Sequence, residues 1–182
     1  TKGVEEDHLF PSVLPGGQSV LFTIAPAAAR WEAGRLSGSG ANVQVAVLDL
    51  KTGARRTLIR GASQAEYVDT GHLIYNAAGT LRAVRFDLAK LEVLGDPVAV
   101  LEQVMTAGSG AANFSVSRHG TLAYVPGGAG SQTSGTRSLV WVTRQGREEQ
   151  IAAPVRNYVY PSLSPDGTRA ALADEVRGGV CA

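Results

Sequence analysis

The chain has 182 residues, with 17 Lys and Arg against 16 Asp and Glu and a formal charge of +1. That balance excludes nucleic-acid binding by a phosphate-neutralising basic stripe, and Arg55, Arg56 and Arg60 are read as a solvated outer strand edge. Hydrophobic residues at 44% supply enough apolar surface for one domain with a sizeable core. The only cysteine, Cys181, rules out a disulfide framework and a thiolate zinc site. No apolar run reaches the roughly 18 residues of a spanning helix, so no membrane insertion is expected. The opening residues, Thr1-Lys2-Gly3-Val4-Glu5-Glu6-Asp7, are not followed by the apolar stretch of a signal peptide. If the parent protein is exported, its signal lies outside this chain or has been removed.

Glycine, at 22 residues, gathers between short apolar runs, the pattern of many short strands joined by tight turns. The first unit runs from Phe10 through Gly17 into Val20–Thr23. A stretch from Ala25 to Gly34, broken by Pro26, is expected to be loop. Val43–Leu50 and Arg55–Ile59 then flank a turn at Lys51-Thr52-Gly53. The second unit has Ala65–Gly71, Leu73–Tyr75, Leu81–Asp87 and Pro97–Leu101. The third has Asn113–Gly120, Leu122–Val125, Leu139–Thr143 and Glu148–Ile151. The fourth has Tyr160–Gly167 and Ala170–Ala173, and is expected to stop there, without third and fourth strands. The turn glycines Gly17, Gly71, Gly120 and Gly167 are spaced 54, 49 and 47 residues apart, a period that fits a four-stranded propeller blade.

The expected fold is therefore all-β: a partial β-propeller of about three and a half four-stranded antiparallel blades in one domain. Approximate blade limits are 8–61, 62–106, 107–157 and 158–182. Such a set cannot close a ring. The end faces must be covered by a second copy, giving a dimer, or by the missing blades of a larger parent protein.

The run Tyr160-Pro161-Ser162-Leu163-Ser164-Pro165-Asp166-Gly167-Thr168-Arg169 resembles the signature hairpin of TolB-like, WD-type bacterial β-propeller repeats. Leu14-Pro15-Gly16-Gly17 with Val20–Thr23, and Gly120–Val125, resemble variants of that hairpin, and Leu139–Gly146 is similar to the third strand and turn. The resemblance runs from His8 to about Val176, although Tyr67-Val68-Asp69-Thr70-Gly71 lacks the proline. It implies a repeat of the kind found in the extracytoplasmic part of bacterial serine/threonine kinases or beside peptidase domains. A periplasmic or extracytoplasmic location goes with it. It implies nothing about activity, and no kinase motif is present.

No Gly-x-Ser-x-Gly elbow and no P-loop occur. His8, His72 and His119 are far apart in the sequence. The central channel is the remaining place for chemistry. Aligning the units places Phe10, Ala65-Glu66, Asn113 and Tyr160 at the start of the innermost strands, with Glu66 and Asn113 the polar members. By resemblance to six-bladed propeller hydrolases, these two are the ligand types that hold a calcium ion, which polarises an ester carbonyl. They are short of calcium's roughly six to eight oxygens. The plainer reading has Glu66 bonding backbone at the strand start and Asn113 filling a turn. Trp31, in the loop between Pro26 and Gly40, is the candidate for an exposed binding contact, and Trp141 is expected in the core. Two functions follow. The first is a non-catalytic scaffold for protein interaction or ligand sensing, with no cofactor, in a larger protein or a self-assembling oligomer. The second is a calcium-dependent hydrolase of esters or lactones.

Overall fold

The structure, a computed structural model, describes residues 6–26, 30–32, 35–37, 43–106, 111–127, 136–142, 147–174 and 179–181. Among these no residue is helical, and every sheet is antiparallel. The first blade contains β1 (Glu6–Val13) and β2 (Ser19–Pro26), then β5 (Gln44–Asp49) and β6 (Arg55–Arg60), paired in the order β1-β2-β5-β6. Between β2 and β5 the chain forms a separate hairpin of β3 (Arg30–Glu32) and β4 (Arg35–Ser37). The second blade is an up-and-down sheet of β7 (Ser63–Val68), β8 (His72–Ala77), β9 (Thr80–Asp87) and β10 (Glu92–Leu101). The third comprises two ribbons, β11 (Phe114–Val116) with β12 (Leu122–Tyr124) and β13 (Val140–Val142) with β14 (Glu148–Gln150). The fourth contains β15 (Tyr158–Leu163), β16 (Ala170–Asp174) and β17 (Gly179–Cys181). The first strands of successive blades neighbour one another, β1 with β7, β7 with β11 and β11 with β15. This is an all-β partial propeller.

Three local expectations differ from the structure. The stretch from Ala25 to Gly34 is not all loop, because Arg30–Glu32 pairs with Arg35–Ser37. Only two residues separate these segments, the spacing of a tight hairpin. The fourth blade does not end at its second strand, because Leu172 pairs with Cys181 and Asp174 with Gly179. Trp141 is not core but 41% exposed. It lies on a two-stranded ribbon that is not hydrogen-bonded to β11 and β12, so a continuously apolar run has no covering face among the described residues.

The four hairpin turns repeat closely. The N–H of Gly17, Gly71, Gly120 and Gly167 donates to the carbonyl three residues earlier, on Leu14, Val68, Ser117 and Ser164, at 2.8–3.0 Å. All four glycines have φ between 67° and 88°, the left-handed region where a side chain is strained. Gly167 has a second reason to lack one. A Cβ there would lie 2.8 Å from Thr121 Oγ1 and 3.1 Å from Ser117 Oγ, so the fourth turn seats directly on the third. Its partner Asp166 is an organiser of the same turn. The Ser164 hydroxyl, then the Thr168 N–H and hydroxyl, hold its carboxyl down at about 2.

Alternation along each strand divides the core between seams. Leu14, Leu21, Val45 and Val47 of the first blade pack with Ala62, Ala65, Leu73, Tyr75, Val84 and Phe86 of the second. Leu81 and Val104 pack with Ala112 and Phe114 across the next seam. Phe22, Ile24 and Ala46 form a smaller cluster on the other face of the first blade, where the His8 ring meets Phe22 edge-on at 4.9 Å.

Candidate functional site

The innermost strands share a kink. A bulge interrupts the pairing of β1 between Leu9 and Ser12, of β7 between Ser63 and Glu66, and of β15 between Val159 and Ser162. In each the kinked residue, Phe10, Gln64 or Tyr160, has φ between 48° and 53°, a conformation sparsely populated by non-glycine residues. Each lies seven residues before its turn glycine, and the same count in the third blade gives Asn113. The residue equivalent to Phe10, Asn113 and Tyr160 is therefore Gln64. The aligned pair Ala65-Glu66 is out of register by at least one residue, and the constant distance to the turn glycine was the available signal.

These positions form a repeated polar clamp between blades. Gln64 Oε1 accepts the Ala112 N–H at 2.9 Å, while its amide nitrogen donates to the Phe114 carbonyl at 3.3 Å. Two residues on, Glu66 Oε2 accepts the Val116 N–H at 3.1 Å. One blade later the same two positions act again. Asn113 Oδ1 accepts the Tyr160 N–H at 2.7 Å, and Ser115 Oγ accepts the Leu163 N–H at 3.1 Å. The first seam substitutes Thr23 of β2, whose Oγ1 accepts the Gln64 N–H at 2.9 Å, since Phe10 has no polar atom to offer. In every seam a side chain of one blade receives a backbone N–H from the next, satisfying donors on the inner strand that do not bond within their own blade.

This geometry places the two candidate metal ligands. Asn113 is 2% exposed and its carbonyl oxygen is directed at the fourth blade. Glu66 is half-buried and directed at the third. Burial pushes its carboxyl up to about 7, against the opposing pull of the Val116 N–H. The two oxygens bond in different seams, and among the described residues no group of three or more His, Cys, Asp and Glu stands together. Calcium takes roughly six to eight oxygens, and Glu66 and Asn113 each direct one at backbone N–H in a separate seam. Trp31 lies on β3 opposite Leu36, and its side chain is outside the described residues.

A recess of about 370 Å³ lies between the first two blades, bounded by the Leu14–Ser19 turn, Asp49 and Leu88. Asp49 Oδ1 accepts the N–H groups of Lys51 and Thr52 at 2.8 and 3.1 Å. The Thr52 N–H, then that of Lys51, hold its carboxyl below the usual range. The acid therefore shapes its own turn.

No family model matches the chain, and no curated protein matches it. Among solved structures the chain is similar to TolB from Acinetobacter baumannii, at 21% identity over 94% of this chain, with a TM-score of 0.47. It spans 38% of the length of that protein.

Proposed function

We propose that the chain is a non-catalytic β-propeller scaffold for protein interaction or ligand sensing, acting within a larger protein or a self-assembling oligomer. The observation that carries this reading is the use of the polar groups on the innermost strands. Gln64, Glu66, Asn113 and Ser115 each bond backbone of the following blade. The residues that would face a reacting substrate in the channel are thus engaged in holding blades together. The TolB-like resemblance of the Ser164-Pro165-Asp166-Gly167 hairpin adds the setting: an extracytoplasmic or periplasmic part of a bacterial protein, such as the outer portion of a serine/threonine kinase.

The test is hydrolysis of p-nitrophenyl esters and simple lactones, with and without chelator, by the intact chain and by Glu66→Ala. The scaffold reading expects rates equal to buffer throughout, with the substitution lowering thermal stability instead. Turnover that disappears with chelator and with Glu66→Ala would overturn it in favour of a metal-dependent hydrolase.

A further inference from the structure

The seam between the first two blades is apolar along its length but ends on a polar pair. Leu21 and Val47 stand opposite each other on β2 and β5 and belong to the core shared with the second blade. Two residues further along each strand, on the same face, Ser19 stands opposite Asp49. Cross-strand geometry sets their Cβ atoms about 4.5–5.5 Å apart. The second blade contributes Leu88 and Leu91, both half-buried and packed against that core. The space left between these groups is the recess of about 370 Å³, with Pro15 and Lys51 also on its wall. That volume falls at the lower end of the roughly 300–1,000 Å³ of small-molecule sites.

The polar pair has bonding capacity to spare. Ser19 is only 8% exposed, and its hydroxyl makes no hydrogen bond among the described residues. No side-chain oxygen among those residues is both sealed from solvent and unbonded, so this hydroxyl opens on the recess that it lines. The Asp49 carboxylate offers about four acceptor sites. The Lys51 and Thr52 N–H groups and the Thr52 hydroxyl take three of them. An acceptor therefore remains on Asp49, beside a serine that can donate or accept. Lys51, exposed on the same wall, adds a positive charge.

We infer that this recess binds a small amino acid with an apolar side chain. The ligand's ammonium donates to Asp49 and to the Ser19 hydroxyl, and its carboxylate accepts from Lys51. Its side chain lies against Leu88, Leu91 and Pro15. A ligand carrying one charge would leave either Asp49 or Lys51 unanswered, and a wholly polar one would leave the two leucines against water. This inference gives a ligand class to the sensing role proposed above and rests on that reading.

The test titrates the intact chain with L-leucine, with isopentylamine and with isovalerate, following backbone amide shifts by NMR. Leucine is expected to move the amides of Gly16, Ser19, Lys51 and Ala89. It is expected to bind about tenfold more tightly than either single-charge analogue, the loss of one charged hydrogen bond. Asp49→Asn keeps an oxygen for the two turn N–H groups, and Lys51→Met alters an exposed side chain, so the fold is retained in both. Each is expected to weaken leucine binding about tenfold. Ser19→Ala is expected to weaken it severalfold. No shift with leucine, shifts confined to other parts of the chain, or an analogue that binds as tightly would each overturn the site. So would an affinity unchanged in Lys51→Met. None of these results touches the scaffold reading, which falls to ester turnover and not to a failure to bind leucine.

Discussion

The first and third seams of the propeller differ in what dominates them. Between the first two blades lie ten buried apolar residues, among them Leu21, Val45, Leu73 and Phe86, which lie on strands six to eight residues long. Between the third and fourth blades polar side chains carry the hydrogen bonds, beside the buried Pro161 and half-buried Leu163. Asn113 and Ser115 receive two backbone N–H groups, and Gly167 seats on Ser117 and Thr121, with β11 and β12 only three residues each. Apolar burial scales with area, at about 25 cal/mol per Å². A hydrogen bond nets only about 1 kcal/mol but fixes position. The first seam therefore supplies stability, and the third supplies register. A repeat protein with unequal interfaces opens at its weaker one. The fourth blade is accordingly expected to exchange amide hydrogens before the first two.

The comparison can be broken at three points, in decreasing order of effect. Leu73→Ala removes a fully buried side chain from the apolar seam and is expected to cost about 2–5 kcal/mol. Denaturant unfolding should show a single, earlier transition. An unchanged midpoint would show that the strong seam lies elsewhere.

Glu66 sharpens the comparison through pH. Its carboxyl is raised from 4.5 to about 7 by burial, so the fold prefers the protonated form. The stability this contributes is fully present below pH 4.5 and is lost as pH rises toward 7. The change is on the order of 3 kcal/mol at most, reduced by solvent screening of a half-buried group. Glu66→Gln keeps an acceptor for the Val116 N–H and removes the titration. Thermal melts across this range should flatten in the variant, and an unchanged slope would place the pH dependence on another group.

The smallest effect is at the register seam. Asn113→Ala leaves the Tyr160 N–H without its partner and is expected to cost about 1–3 kcal/mol. Loss of hydrogen-exchange protection should be confined to β15 and β16. Loss spreading to β7–β10 would mean that the seams are not independent.

The blade repeat was legible because its punctuation is covalent. A backbone at φ near 70° selects glycine, so Gly17, Gly71, Gly120 and Gly167 mark their turns before any strand is recognised. The inner kink was not legible, since Phe10, Gln64 and Tyr160 hold the same left-handed conformation without being glycine. Their strain is borne by neighbouring contacts rather than by residue choice. Without the kink, aligning the units puts Ala65-Glu66 where the structure puts Gln64. Trp141 failed for a related reason. An apolar strand is core only if a second face arrives to cover it, and strand composition cannot report that.

The clamp has a consequence for how such a chain diverges. Each blade receives its neighbour through main-chain N–H groups, which every residue but proline carries, so the incoming strand contributes nothing specific to its side chains. Only the outgoing side needs an acceptor, and Glu, Gln, Asn, Ser and Thr all serve in this one chain. The clamp of a duplicated or transplanted blade would therefore re-form against a new neighbour without matched substitutions, and only the apolar packing beside it would need them. Units joined this way are free to drift apart in sequence while the ring geometry stays constant.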